Sequence, residues 1–445
     1  KKDIARILTA AENDEKPAAL RESASSGSQN ADSDASAAGT DLSSASGQTA
    51  ASSGSQPDLM ELYSAHLRGL IQKAVPGEKP LSGLKIAVDC GNGAGGFYVS
   101  KVLQPLGADT SASQFLEPDG SFPNHIPNPE NEAAMAAITD AVNKNHCDLG
   151  IIFDTDVDRS SAVDEQGREI NRNGIVAMAA ALIADEYPGT TVVTDSITSN
   201  ELTDYLENRL KLHHLRFKRG YRNVINKAAE LNAEGTDAQL AIETSGHAAY
   251  KENYFLDDGA YLATRIIIRL ALLKREGKEI SSVIAELKEP EEAVEIRMPI
   301  TEEDHNAAGS AILSAVEAWA EKQDAESSQG ADSDAADSAE ESTQHTAGTS
   351  ETASDKVTDT ADTAASGLQI HLVKPNYEGV RVQFGGSVQG WFLLRKSLHD
   401  PIMPLNIEAE EKGGCRQIAA ELSKALAGVS GMDTGKLTAF INGEK

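Results

Sequence analysis

Apolar residues along the chain gather in short uninterrupted runs that alternate with longer stretches of helical periodicity. Lys85 to Cys90 is one such run, ending at glycines, and a helical stretch follows at Tyr98 to Leu106. Beyond the turn-rich segment Pro118 to Pro129 come a helical pattern at Glu132 to Asn143 and a second buried run at Leu149 to Phe153. The alternation repeats as helix Gly174 to Asp185, strand Thr191 to Thr194, helix Glu201 to Leu210, strand His214 to Phe217, helix Asn223 to Leu231, strand Gln239 to Ile242 and helix Gly259 to Lys274. Apolar strands separated by helices of about 10 to 15 residues predict parallel sheets with helical crossovers. Further on, Leu368 to Val373, Val380 to Phe384 and Gly390 to Leu394 read as strands of a mixed sheet, closed by a helix at Cys415 to Ala427. The expected fold class is α/β, with successive three-layer domains of mixed, mainly parallel sheets and a C-terminal α+β domain.

Composition changes this picture in two places. Residues 22–57 and 324–366 consist almost wholly of Ser, Ala, Gly, Asp, Thr, Gln and Glu. Such segments bury too little apolar surface to offset the entropy of ordering them, and both are expected to be disordered insertions. The remainder divides into 58–170, 171–292 and 293–445, the last containing the second insertion. Lys2 to Glu12 and Leu59 to Ala74 read as helices without a sheet of their own, so 1–21 is expected to be the remnant of a preceding domain.

Charge and cysteine content narrow the function. With 40 Lys and Arg against 69 Asp and Glu the formal charge is −29, which disfavours general nucleic-acid or anionic-membrane binding. The acidic tracts carry about half of that excess, which reads as a solubility feature. No run reaches the roughly 18 to 20 apolar residues of a membrane span, and no secretory leader is evident, so the expected location is cytoplasmic. Three widely spaced cysteines, Cys90, Cys147 and Cys415, provide neither a disulfide framework nor a metal knuckle.

Four segments could carry chemistry. Asp154, Asp156 and Asp158, followed by Arg159, stand directly after the apolar run ending at Phe153. Carboxylates crowded at the C-terminal end of a parallel strand sit where α/β folds bind ligands, and a hard cation such as Mg²⁺ would relieve their repulsion. A solvated acidic turn is the plain alternative. A calcium hand, with Glu165 at its last position, lacks the glycine its turn needs. Asp-x-Asp after a strand also fits a haloacid-dehalogenase-type phosphotransferase, with Asp257 and Asp258 as its later acidic pair. Gly91, Gly93 and Gly96 satisfy G-x-G-x-x-G with Asp109 eighteen residues after the first glycine, which suits either a dinucleotide or mere close packing of backbones. Glu243, Thr244, Ser245, Gly246 and His247 place a carboxylate, hydroxyls and an imidazole on one loop, a combination suited to sugar hydroxyls. Ser245 and His247 as nucleophile and base is a weaker option, since neighbours on a turn reach each other poorly. Arg395, Ser397, His399 and Asp400 before Pro401 could cradle a phosphate, and Lys218, Arg219 and Arg222 around Gly220 form a further basic group.

Taken in order, these pieces resemble the α-D-phosphohexomutase superfamily, the phosphoglucomutases and phosphomannomutases. Asp154 to Arg159 is similar to its D-x-D-x-D-R magnesium loop, Glu243 to His247 to its E-x-S-G-H sugar loop, and Arg395 to Pro401 to its R-x-S-x-x-x-P phosphate loop. The resemblance implies reversible phosphoryl transfer between O1 and O6 of a hexose phosphate through a hexose 1,6-bisphosphate. It implies Mg²⁺ on Asp154, Asp156 and Asp158, with Arg159 and His247 as catalytic residues. Substrate would meet Glu243, Ser245, Lys218, Arg219, Gly220, Arg395, Ser397 and His399. Leu398, His399 and Asp400 stand where the family usually has Gly-Thr-Glu, and no T-x-S-H-like segment for the phosphoserine occurs. The chain is therefore expected to bind metal and hexose phosphate without interconverting glucose phosphates. A non-catalytic sugar-phosphate-binding protein is the other reading of that gap.

Overall fold

The computed structural model describes residues 58–340, 367–397 and 400–444. The expectations for 1–21 and 22–57 fall outside these residues, as does the part of the second insertion from 341 to 366.

Helix α1 (Leu59–Ala74) begins where the Asp58 carboxylate accepts hydrogen bonds from the Met60 and Glu61 amides, at 3.0 and 3.3 Å. Its apolar face, Leu67 and Ile71, is fully buried against the turn Tyr98–Leu103 and the long helix Gly259–Arg275. This helix, read as having no sheet of its own, has its apolar face covered by elements that follow it.

The first sheet orders strands β1 (Ile86–Asp89), β2 (Leu149–Phe153), β3 (Ser160–Val163) and β4 (Glu169–Ile170). Only β1 and β2 are parallel; β3 and β4 fold back antiparallel. Helix α2 (Glu132–Asn145) is the crossover. Alternate residues of β2 serve different layers: Ile152 packs with Ile138 and Val142 of α2, while Ile151 and Phe153 join the main core. Both faces are covered, which is why the strand reads as one apolar run.

Asp109 proves to lie on a strand-like edge. Residues 109–114 run parallel to β1, with the Ile86 amide on the Asp109 carbonyl at 2.9 Å and the Gln114 amide on Val88 at 2.9 Å. The glycines here serve close approach. A Cβ on Gly93 would stand 2.6 Å from the Thr155 carbonyl, and one on Gly96 2.3 Å from that of Leu116.

Helix α3 (Asn173–Ala181) leads into a second sheet, ordered β6 (His213–Arg216), β5 (Thr191–Thr194), β7 (Ala238–Ile242) and β8 (Ala248–Tyr250). Its crossovers are α4 (Asn200–Asp204), continued by a wider turn at Tyr205–Arg209, and α5 (Tyr221–Ala233). Helix α6 (Gly259–Arg275) joins the first two units, because Ile266, Ile267 and Leu270 share one core with Val88, Phe153, Val192 and Ile242.

The third sheet is wholly antiparallel, ordered β10 (Leu368–Leu372), β11 (Val380–Gly386), β12 (Gly390–Leu394), β13 (Ile402–Ala409) and β9 (Glu292–Pro299). It has its own core, closed by α7 (His305–Glu340) and α8 (Gly414–Ala425), with a short α9 (Gly435–Asn442) beside them. Helix α7 enters the tract expected to be disordered from 324. Asp324 accepts from the His371 ring at 2.9 Å and Ser327 Oγ from the Ile370 amide at 3.0 Å, so this end of the tract is held by strand β10. Composition undervalued it because its anchors are polar side chains.

Candidate functional site

The loop after β2 is shaped by Asp154. Its buried carboxylate accepts from the Val157 amide at 3.0 Å, the Arg159 amide at 3.2 Å and Arg159 Nε at 3.0 Å. The turn forces Val157 to φ +73°, a conformation β-branched residues avoid, and the Gly259 amide fixes it by donating to the Val157 carbonyl at 3.0 Å. Carboxylate oxygens of Asp154, Asp156 and Asp158 lie within 4.8 Å of one another. Burial and the charge of Asp154 push Asp158 up to about 7. One Asp158 oxygen is buried without a hydrogen-bond partner. An all-oxygen donor set with an orphaned carboxylate oxygen fits a hard divalent cation.

The loop between β7 and β8 is a tight hairpin. The Glu243 amide donates to the His247 carbonyl at 2.9 Å, and Gly246 turns the chain at φ +95°. It is stitched to the acidic loop. Arg159 and His247 form an antiparallel bridge, and the Ser160 amide donates to the Gly246 carbonyl at 3.4 Å. A Cβ on Gly246 would meet the Ser160 carbonyl at 2.6 Å, so only glycine permits this contact.

Beneath the hairpin, fully buried Asp195 accepts from the Thr244 amide at 3.2 Å and its hydroxyl at 2.7 Å. Burial and this neighbouring carboxylate raise Glu243 to about 7, while one Glu243 oxygen accepts from the Gly220 amide at 2.5 Å. Ser245 Oγ is buried without a hydrogen-bond partner. The His247 ring stacks on Tyr221 with centroids 5.0 Å apart, and its Nδ1 lies 2.7 Å from Asp257. Burial opposes its protonation, but the Asp257 bond and the surrounding carboxylates raise its pKa overall. Ser245 and His247 are not hydrogen-bonded to each other, because the imidazole is turned to Asp257, which removes the nucleophile-and-base option.

From the third sheet, Arg395 follows β12 with Nε buried and unpartnered, while the Ser397 amide donates to the Ile402 carbonyl at 3.0 Å. Together these elements line one cleft of about 560 Å³, in which Arg159, Arg219 and Gly220 meet Glu243, Ser245 and His247. Arg395, Ser397 and Asp400 close its far side. Leu398 and His399 lie outside the described residues. Lys218, expected with them, is exposed and does not line the cleft. Asp258 caps α6 through the Tyr261 amide at 2.9 Å and accepts from the Tyr63 hydroxyl at 2.5 Å, so it is unavailable as half of an acidic catalytic pair. Glu165 is turned to Ser281 Oγ at 2.5 Å, away from the acidic loop.

Several site residues escaped the sequence reading. Asp195 stands at the C-terminal end of β5 as Asp154 stands beyond β2, so the same strand-end signal would have found it. Arg297 enters the cleft from β9, whose alternating exposure gave no clear apolar run. Tyr221 and Glu130 carry no local signal; contacts distant in sequence bring them in.

Two family models match: "Phosphoglucomutase/phosphomannomutase, alpha/beta/alpha domain II" over residues 61–167 and "alpha/beta/alpha domain III" over 171–290. A phosphomannomutase/phosphoglucomutase of Pseudomonas aeruginosa is 28% identical over 257 residues, covering 57% of this chain and 52% of that protein. One of Pseudomonas syringae pv. tomato is 28% identical over 346 residues, covering 77% and 61%. The chain thus spans about half to three-fifths of the length of these relatives. A crystal structure of a phosphoglucomutase/phosphomannomutase family protein from Burkholderia thailandensis superposes with a TM-score of 0.57 at 22% identity, over 82% of this chain and 64% of that one. The fold, the two matched domains and the relatives agree, and the chain belongs to the α-D-phosphohexomutase superfamily.

Proposed function

We propose that this chain supplies the metal, sugar and phosphate loops of a phosphohexomutase, which moves a phosphoryl group reversibly between O1 and O6 of a hexose phosphate by way of a hexose 1,6-bisphosphate. The supporting observation is the convergence of Arg159, the Glu243–His247 hairpin and Arg395 on one cleft. Mg²⁺ on Asp154, Asp156 and Asp158 would supply charge neutralisation at the transferring phosphoryl group. Arg159, held against Asp154, adds a fixed positive charge on the same side. Glu243 and Ser245 suit ring hydroxyls: a carboxyl titrating near neutrality and an unpartnered hydroxyl both donate and accept. Arg219, Arg297 and Arg395 provide a cationic wall for the phosphate that is not reacting, in a protein of net charge −29. His247, oriented by Asp257, is placed to move a proton at the sugar hydroxyl.

Three free, buried cysteines suit the reducing cytoplasm. Among the described residues no helix is long and apolar enough to cross a membrane.

Calorimetric titration of the chain with glucose 1-phosphate and mannose 1-phosphate, with and without Mg²⁺, tests the reading. Binding of one or both, strengthened by Mg²⁺ and lost in Arg395→Ala, is expected. Indifference of the protein to both sugar phosphates and to glucose 1,6-bisphosphate would remove the proposal. A coupled assay primed with the bisphosphate then reports whether the chain turns over.

A further inference from the structure

Two guanidiniums of the cleft come from different sheets, Arg159 from the first and Arg219 from the second, yet both are gripped by one loop. Asn128 Oδ1 accepts from Arg159 Nη1 at 3.2 Å, and Glu130 Oε1 lies 3.5 Å from Arg219 Nη2. The same Asn128 oxygen accepts from the Glu130 amide at 2.9 Å, so one atom shapes the loop and holds an arginine. Arginine side chains carry large rotamer entropy, and a fork left free in solvent presents its donors to an anion only part of the time.

The loop is itself anchored to the end of β1. Asp89 is fully buried, and both its oxygens lie 3.1 Å from His125 Nε2. Gln114 Nε2 and the Gly91 amide complete its shell at 2.8 Å each. His125 packs edge-on against Phe115, with centroids 5.3 Å apart, and only 4% of its side chain is exposed. A carboxylate placed at zero exposure with four hydrogen-bonding contacts fixes position strongly, since loss of any partner would leave a buried charge uncompensated. Pro127, buried between His125 and Asn128, narrows the backbone freedom of the short span that follows.

We propose that Asn128 and Glu130, on the loop anchored by the Asp89–His125 pair, are positioning residues that hold Arg159 and Arg219 in fixed relative geometry across the cleft. That the anion they await is a sugar phosphate rests on the function proposed above. The positioning itself does not.

The test therefore has two arms. In the first, arginine-selective NMR of the 445-residue chain follows rotation of the two guanidiniums without ligand. Asn128→Ala should loosen the Arg159 Nη groups, its Nε staying on Asp154, and Arg219 to a smaller extent because the Glu130 amide loses its acceptor. Glu130→Ala should loosen Arg219 and leave Arg159 restricted, and Asn128→Asp, which keeps the acceptor, should restore the wild-type signal. In the second, glucose 1-phosphate affinity should fall roughly tenfold in Asn128→Ala, as for loss of a hydrogen bond to a charged group, and recover in Asn128→Asp, with thermal midpoints unchanged within a few degrees. Rotation equally restricted in wild type and both alanine variants overturns the proposal. Loosening of the arginines in this pattern in a chain that binds no sugar phosphate supports the positioning and defeats the functional reading alone.

Discussion

Glu243 shows how a single side chain couples folding to function. Its folded pKa of about 7 lies above the ordinary 4.5, raised by burial and then by Asp195. A carboxyl with a raised folded pKa contributes stability that is complete below the unfolded value and is lost as pH rises through the folded one. Wild-type stability should therefore decline between about pH 4.5 and 7 more steeply than that of Glu243→Gln, whose amide oxygen still accepts from Gly220. Near pH 8 the Gln variant should be the more stable by about 1–3 kcal/mol in urea titrations. Asp158, also pushed up to about 7 by burial and Asp154, makes a second prediction. Mg²⁺ should raise the melting temperature more at about pH 8 than at pH 6, where protons compete for the same oxygens, and Asp158→Asn should abolish most of the shift. The identity of these acids was visible in the sequence as carboxylates beyond a buried strand. Their titration was not, because burial leads in both cases and is set by the fold, and for Glu243 the next cause is Asp195, which is distant in sequence and arrives through the neighbouring strand.

At the level of elements, glycines decide how closely the loops approach. Gly246→Ala would place a Cβ against Ser160 and strain a residue at φ +95°, separating the sugar hairpin from the acidic loop. A loss of about 2–4 kcal/mol in stability is expected, together with weaker Mg²⁺ binding, both readable by thermal shift. The Gly91–Gly96 turn packs against the Thr155 and Leu116 carbonyls, so millimolar NAD should leave the melting temperature unchanged. Central strands such as β2 and β5 were legible because burial on both faces makes them continuously apolar. Strands β3, β8, β9 and β13 were not read. The first two are only four and three residues long, and β9 is half exposed, with polar residues breaking the run. The alternation along β9 puts exposed residues at every second position, so it makes no uninterrupted apolar run.

Across the whole molecule the first two sheets share one core while the third has its own, so the cleft depends on the seam between the second and third. Arg381 holds that seam. Fully buried in β11, it donates to the Ser196 and Thr198 carbonyls at 3.1 and 3.2 Å and to Asn200 Oδ1 at 3.1 Å. Its guanidinium lies 3.6 Å from the Trp391 ring centroid. Arg381→Ala should cost roughly 2–4 kcal/mol and divide the calorimetric transition in two, the third unit melting separately. A single unchanged transition would show that other contacts hold the seam.

The chain's pattern of apolar runs and strand-end acids determined the α/β units and the three chemical loops, because burial on a strand and charge at its end are both local in sequence. Tertiary structure alone decided that the loops face one cleft, that Asp195 and Asp257 stand behind Glu243 and His247, and that one short loop grips two arginines. Those facts arise from contacts between residues ten or more positions apart, whose strength depends on distance and desolvation that composition does not encode.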